Sequence, residues 1–426
     1  MSLLDDPMGM TRAFRVDVFA NYAAVLIAGA AGLVLLPIYA RLLGDRGWGM
    51  VSLCLLIQAI VMVFDMGMSQ TLPRDVAKTM GDVDRRQKTI GLHIRAYLLV
   101  SGFVSLAGLL VTPYLVSTWF RDVGRDDVMV QASRLAVLWG GLQLLNGACI
   151  GFWSGSQQQA LAVRRTTLFL LLRHFLTFCL LTSLGPSLMT FLWSCLLVTL
   201  LEVICNLRQV FRKEGSIGWR RTSFADCKDL FIRNRSVAIS LLIGTLVTQM
   251  DRIVLSRAMP AADFGLYVVV LALGLAFLQL QYPLMTALYP RVALDRRMRL
   301  LPSNLGRMVV CVVLPCLLAG CLADVLLSLF LHRPDPGMGA MVTFRWLLAA
   351  VSLNALYHVF YQYMVVGGAG RWLAVSNAVV LVWVFLVTFR QVEAWGMIAG
   401  GVAWAGGAGL QLGSGLIWWF FNRRSS

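Results

Sequence analysis

Long apolar runs alternate along the chain with short clusters of charged and turn residues, and run length decides what they are. Twelve runs stand out, at about 17–40, 49–72, 93–116, 133–154, 166–184, 187–206, 236–259, 264–288, 308–331, 342–366, 372–389 and 395–421. A hydrocarbon layer ~30 Å thick takes about 20 apolar residues of helix to cross. Runs of this length, without the alternation of barrel strands, predict twelve transmembrane helices whose backbone hydrogen bonds are satisfied internally. The expected fold class is an all-α polytopic membrane protein.

Composition agrees. With 58% hydrophobic and 14% charged residues in 426, there is too little polar surface for a water-soluble fold. The formal net charge of +16 follows from where Lys and Arg sit. With the N-terminus inside, 25 fall in inner connections and 10 in outer ones, an imbalance that puts both termini in the cytoplasm. Basic inner loops also suit an anionic leaflet, so the charge calls for membrane lipids rather than nucleic acid. No cleavable signal peptide is expected, since the first run is of full spanning length. Eight of the nine cysteines lie in apolar runs and Cys227 in an inner loop; no CxxC pair occurs, and Cys311, Cys316 and Cys321 do not share a helix face. They read as packing residues rather than metal ligands or disulfide partners.

Sliding the chain against itself by 216 positions pairs Arg41 with Arg257, Gly49 with Gly265, Val76 with Val292 and Ala77 with Ala293. The matches fall in order at equivalent places in two helical hairpins. They divide the chain into a six-span N-terminal lobe (1–206), a basic cytoplasmic linker (207–235) and a six-span C-terminal lobe (236–426). An even number of spans per lobe makes the repeats parallel, an arrangement that puts a substrate path between halves and suggests a transporter.

The stretches LLPIYARLLGDRGWGMVSL, FDMGMSQTLPRDVA, TQMDRIVLSRAMPAADFGLYVVV and ALYPRVA resemble the bacterial flippases of lipid-linked oligosaccharides, the O-antigen and exopolysaccharide group of the multidrug/oligosaccharidyl-lipid/polysaccharide superfamily. The resemblance covers spans 1, 2, 7 and 8, about a third of the chain. It implies two six-helix lobes in a V, with those four spans lining a cavity open to one side and then the other. The implied cargo is an undecaprenyl-diphosphate oligosaccharide, turned from the cytoplasmic to the periplasmic leaflet of the bacterial inner membrane. It also implies working partners in the same pathway, a polysaccharide polymerase and glycosyltransferases. Lipid II flippases of the superfamily carry two additional helices that this chain lacks.

A hydrated diphosphate glycan cannot cross hydrocarbon unaided, so a wet cationic passage is required. Arginine suits phosphate because its planar fork stays charged and donates in pairs. Arg41 and Arg257 end spans 1 and 7 at equivalent repeat positions; they either face the path or snorkel to the outer interface. Arg252 lies about 8 Å deeper at ~1.5 Å per residue, beside Asp251. Neighbours in a helix point apart, so each of these two needs a partner on another span, in a functional couple or a structural network. Asp65, about two turns above the inner interface, shares a face with Ser69. It could hold a coupling proton or sodium ion, pair with an arginine of span 1 or 7, or reach the inner headgroups; Pro73 is expected to end its span. No cofactor beyond such an ion is expected.

In span 10, Asn354, His358, Tyr361 and Gln362 recur on one helical face, as a water-facing stripe or as interhelical hydrogen bonding. Gln279, Gln281 and Tyr282 precede Pro283, which is expected to bend span 8 beside the cavity. Glu202, Asp324 and His174 have no partner nameable from sequence. Seven glycines of span 12 predict close helix packing. No phosphate loop, HExxH, nucleophile elbow or acidic metal cluster occurs, so no catalysis is expected. A cation-coupled multidrug exporter of the same superfamily is the alternative. Its cationic cargo would favour carboxylates, and the mixture of Arg41, Arg252 and Arg257 with Asp65 and Asp251 leans toward an anionic one.

Overall fold

The computed structural model describes residues 12–79, 81–120, 122–123, 126–215, 222–282, 284–285, 292 and 300–422, which are helical almost throughout. In chain order the helices are α1 (Arg12–Val63), α2 (Met68–Ala77), α3 (Val83–Trp119), α4 (Asp127–Gly155), α5 (Gln159–Ser183), α6 (Leu188–Glu214), α7 (Phe224–Ala258), α8 (Ala261–Ala276), α9 (Leu301–Met308), α10 (Leu314–Cys321), α11 (Ala323–Leu331), α12 (Met338–Val366), α13 (Gly370–Trp395) and α14 (Ile398–Asn422).

Nine helical stretches among the described residues are long and apolar enough to cross a membrane. One of them, Gly29–Val63, holds the end of span 1 and most of span 2. The two meet at Gly44, whose φ of 69° is a left-handed conformation that glycine alone adopts without cost. Spans 7 and 12 correspond to α7 and α14, so each of the twelve runs is met by helix. Two helix starts carry side-chain caps: Asp126 accepts from the Val128 amide at 2.9 Å and Ser187 from the Thr190 amide at 3.1 Å.

The chain forms two compact units. The first contains the described parts of Met1–Leu42, Ile57–Val116 and Asp126–Leu242. One core in it gathers Met68, Leu72, Ile90, Tyr97, Phe152 and Trp153 from α2, α3 and α4. Cys227 and Leu230 of α7 belong to the same core. The expectation that Cys227 sits in a loop is therefore corrected: α6 runs on to Glu214, α7 starts at Phe224, and most of the basic connection is helix with an apolar face. Large apolar side chains such as Phe103 and Leu110 on α3 are exposed, as lipid requires no burial of them.

A closed polar network ties α4, α5 and α6 inside this unit. Glu202 takes Arg173 at 3.2 Å and the Asn146 amide at 2.8 Å; Asn206 donates to Asn146 at 2.8 Å and accepts from Arg165 at 2.8 Å. The guanidinium groups lie over Trp139 and Trp153. His174 meets the Tyr39 hydroxyl, 3.3 Å from its Nδ1. Glu202 and His174 thus have partners that sequence did not identify.

The second unit contains Leu43–Leu56, Ser117–Arg125 and Ile243–Ser426, again in its described parts. α12 lies along α14, with Gly401 so near the α12 backbone that an added Cβ would stand 3.0 Å from the Thr343 carbonyl; Gly415 meets Phe360 at 2.9 Å. Gly413 faces open space, so close packing explains several of the span 12 glycines and not all. The span 3–4 loop is pinned within this unit. Both Asp122 carboxylate oxygens accept the Ala261 amide of α8 at 3.2 Å, and Trp119 donates to the Ser256 hydroxyl at 3.1 Å.

Candidate functional site

Asp251, on α7 within the second unit, is 0% exposed. Its Oδ2 accepts two hydrogen bonds, from the Tyr267 hydroxyl of α8 and from Trp404 Nε1 of α14 at 3.0 Å. Its Oδ1 is buried without a hydrogen-bond partner among the described residues, which also place no guanidinium in ion-pair contact with it. A buried carboxylate with one oxygen satisfied and the other bare is costly to hold in a low-dielectric interior.

Beside it, inside the same unit, is a cavity of about 130 Å³ lined by Thr248, Leu275, Asn354, Val384, Trp404 and Gln411 among others. Water occupies about 30 Å³ per molecule in the liquid, so the space has room for a few waters, with Thr248, Asn354, Trp404 and Gln411 as the polar members of a mostly apolar wall. It is far smaller than the hundreds of Å³ that a drug-sized ligand fills. Trp404 links the two features, lining the cavity while its Nε1 donates to Asp251. Gln281, buried, donates to Asn354 at 3.3 Å and keeps its own Oε1 unpartnered.

Arg252 does not pair with its neighbour, as helical geometry requires. Its partner is Gln249 on the same helix, at 3.0 Å, rather than a residue of another span; its Nε is buried and unpartnered. Arg257 is exposed, with its guanidinium 5.3 Å above the Trp119 ring. Arg41 is exposed at the end of span 1. Of the span 10 residues, Asn354 and Gln362 are in interhelical hydrogen bonds, Gln362 donating to the Met285 carbonyl at 2.9 Å. His358 sits between the rings of Tyr357 and Tyr361 with its Nδ1 unpartnered. Gln362 is buried and Tyr361 exposed, so the four do not form one water-facing stripe.

Asp65 is in the first unit and corrects the picture of an unbroken span 2. Helix α1 stops at Val63 and α2 starts at Met68, with Met66 and Gly67 at φ 51° and 75°. Asp65 accepts the Ser69 amide at 3.0 Å on one oxygen, capping the second helix, and the Tyr97 hydroxyl at 2.9 Å on the other. The span also continues past Pro73, which lies inside α2. Pro73 is the sixth residue of α2, past the first turn whose amides lack intrahelical partners, so it leaves the Ser69 carbonyl without an i+4 amide donor.

The 216-residue offset carries Asp65 onto Gln281, and the backbone is irregular at both. Where α1 gives way to turns after Val63, α8 tightens into a 3₁₀ turn over Phe277–Gln281. The irregularity thus precedes Pro283, which is outside the described residues together with most of ALYPRVA. Irregular backbone at membrane depth is tolerated only where it is buried in protein or lines a wet space. Sequence reading missed Tyr97, Tyr267 and Trp404. Only their aromatic character marks them, because their carboxylate partners are on other helices.

A family model described as polysaccharide biosynthesis protein matches residues 15–294. Among solved structures, the inward-facing conformation of a multidrug resistance MATE family transporter of the MOP superfamily aligns at 15% identity and TM-score 0.67, covering 93% of this chain and 94% of that one. Lipid II flippase MurJ, in its inward closed conformation, aligns at 9% identity and TM-score 0.66, covering 90% and 87%. A MOP superfamily transporter from Pyrococcus furiosus, with a binding pocket described as of reverse polarity, aligns at 13% identity and TM-score 0.60, covering 96% and 93%. No curated protein matches the chain. At these identities the likeness is one of fold: an all-helical membrane protein of twelve spans in two six-helix repeats.

Proposed function

From its membership of the polysaccharide biosynthesis protein family, we propose that this chain is a flippase for an undecaprenyl-diphosphate-linked oligosaccharide. It carries that lipid from the cytoplasmic to the periplasmic leaflet of the bacterial inner membrane by alternating access, with both termini in the cytoplasm, and so serves surface polysaccharide biosynthesis. The reading is supported by the family match together with a fold like that of a lipid II flippase. No chemical step is assigned to it.

The substrate path is assigned to Arg41, Asp65, Arg252, Arg257 and Gln281, with Asn354, His358 and Gln362 as secondary members. To Asp251 we assign ion coupling: it is a fully buried carboxylate with a bare oxygen, and its hydrogen-bond donor Trp404 also lines the cavity of about 130 Å³. Coupling lets the same carboxylate be charged in one half of the cycle and neutralised in the other.

The test is reconstitution into liposomes with a fluorescent lipid-linked oligosaccharide, scoring the fraction protected from an external quencher. Protein-dependent flipping is expected, and its absence overturns the assignment. In cells, Arg252→Ala should abolish surface glycan with membrane insertion intact; unchanged surface polysaccharide removes Arg252 from the path. The likeness to a multidrug MATE transporter keeps one rival, a cation-coupled drug exporter. Efflux of an organic cation by the liposomes, with no lipid flipping, would establish that rival instead.

A further inference from the structure

A second buried titratable pair lies in the first unit, away from Asp251. His93 of α3 is 1% exposed, on the helix whose Ile90 and Ile94 belong to the core shared with Met68 and Leu72 of α2. Its Nδ1 is 3.0 Å from the Thr89 carbonyl oxygen. A carbonyl only accepts, so Nδ1 carries a hydrogen. In a neutral imidazole Nε2 is then a bare lone pair, and it points at Asp75 Oδ2 of α2, 3.6 Å away.

Both atoms are buried and neither has a hydrogen-bond partner among the described residues. Two lone pairs facing each other across a buried contact repel. One proton between them turns the contact into an ion pair or an O–H···N bond, closing a gap that is just beyond hydrogen-bond range.

The other charges around the pair define the competition. Arg74 of α2 holds the other carboxylate oxygen, with its NH2 nitrogen 3.1 Å from Oδ1. Arg233 of α7 approaches Oδ2 itself, its NH2 nitrogen at 3.9 Å. These two guanidinium groups and Asp75 are the charged groups acting on His93; from α4 the neighbouring core supplies apolar Phe152 and Trp153.

We propose that His93 and Asp75 bind one exchangeable proton, in competition with the Arg233 guanidinium for Asp75 Oδ2. With the proton present, imidazolium takes that oxygen and Arg233, largely exposed, is released. With the proton gone, Arg233 closes on the carboxylate. Arg233 belongs to α7, which begins in the first unit and ends in the second at Asp251 and beyond, so the exchange makes and breaks a tether on that helix. Use of this proton in transport rests on the flippase reading; the proton site itself does not.

The experiment uses the full chain in lipid nanodiscs, with histidine labelled at the ring carbon between the nitrogens and followed by NMR as pH varies. The chain has four histidines, and His93→Gln assigns the signal. The His93 resonance should titrate as a single proton. Asp75→Asn, which keeps the side-chain shape, should move its midpoint about one pH unit or more toward acid, and Arg233→Ala should move it toward base. A His93 signal that does not titrate between pH 4 and 9, or a midpoint indifferent to both substitutions, overturns the site. Flipping under an imposed pH gradient is the separate arm. His93→Gln should flip lipid at a rate independent of the gradient, whereas gradient dependence equal to that of the wild type removes the coupling role and leaves the NMR result standing. Should the wild type flip no lipid, the flippase reading falls and the titration still decides the site.

Discussion

Gly49 and Gly265, at positions 216 apart in sequence, pack against each other: a Cβ on Gly265 would stand 2.8 Å from the Cα and nitrogen of Gly49. A Cβ on Gly49 would run into the carbonyl of Ala261, at the start of α8. The internal repeat is thus also a contact, in which equivalent small residues let two backbones approach within the second unit.

Gly265→Ala puts a methyl against backbone, which no rotamer change relieves. It should destabilise the protein by about 1–3 kcal/mol, the usual cost of overpacking, seen as a lower unfolding midpoint in detergent. An unchanged midpoint would show that the helices do not approach this closely.

Asp251→Asn keeps an oxygen for Tyr267 and Trp404 while removing the charge. Folding should persist and flipping should fall about tenfold or more, equivalent to at least ~1.4 kcal/mol on the rate-limiting step. Tyr267→Phe removes one donor from a buried carboxylate, and a loss of about 1–3 kcal/mol in stability is expected. Flipping rates and unfolding midpoints measured on the same preparations separate the two effects.

Arg173→Ala leaves the buried Glu202 without its ion-pair partner, and should cost about 3–5 kcal/mol. Replacing both members by apolar residues, Arg173→Met with Glu202→Leu, should restore most of the loss and leave flipping unchanged, because the network is closed within α4, α5 and α6. Failure of the double variant to flip at a restored midpoint would move this network from scaffold to function.

The start of α7 is held by a reciprocal cap. The Ser223 amide donates to the Asp226 carboxylate at 2.7 Å and the Asp226 amide to the Ser223 hydroxyl at 3.1 Å. These bonds, chiefly that from the Ser223 amide, hold the Asp226 carboxyl below the ordinary carboxylate range. A folded-state value below the unfolded one means that the ionised cap stabilises the helix start above about pH 4, and that the contribution fades as pH falls through and below that value. Protection of amides 223–228 against hydrogen exchange, relative to the intrinsic rate at each pH, should therefore fall below about pH 4 in the wild type and be low at all pH in Asp226→Ala.

How much was legible in sequence is clearest at the charged residues. Asp251 and Arg252 announced themselves because intramembrane charge is rare and costly. Adjacent helical positions also implied that they would not pair, and they do not. What Asp251 binds instead was hidden: Tyr267 and Trp404 are remote in sequence, and nothing in local spacing couples an aromatic hydroxyl or indole to a carboxylate on another helix. The His93 and Asp75 pair was hidden for the same reason.

By itself the sequence determined the spans, their number and their repetition, because those depend on run length against a layer of fixed thickness and on residue order. It also marked glycines where helices meet. Tertiary structure decided which apolar face packs inward, since lipid and protein interior accept the same side chains and leave no periodic contrast to read. It decided that span 2 breaks at Asp65, that Cys227 is core, and that Glu202 is paired, because each depends on helices that cross only once the chain has folded.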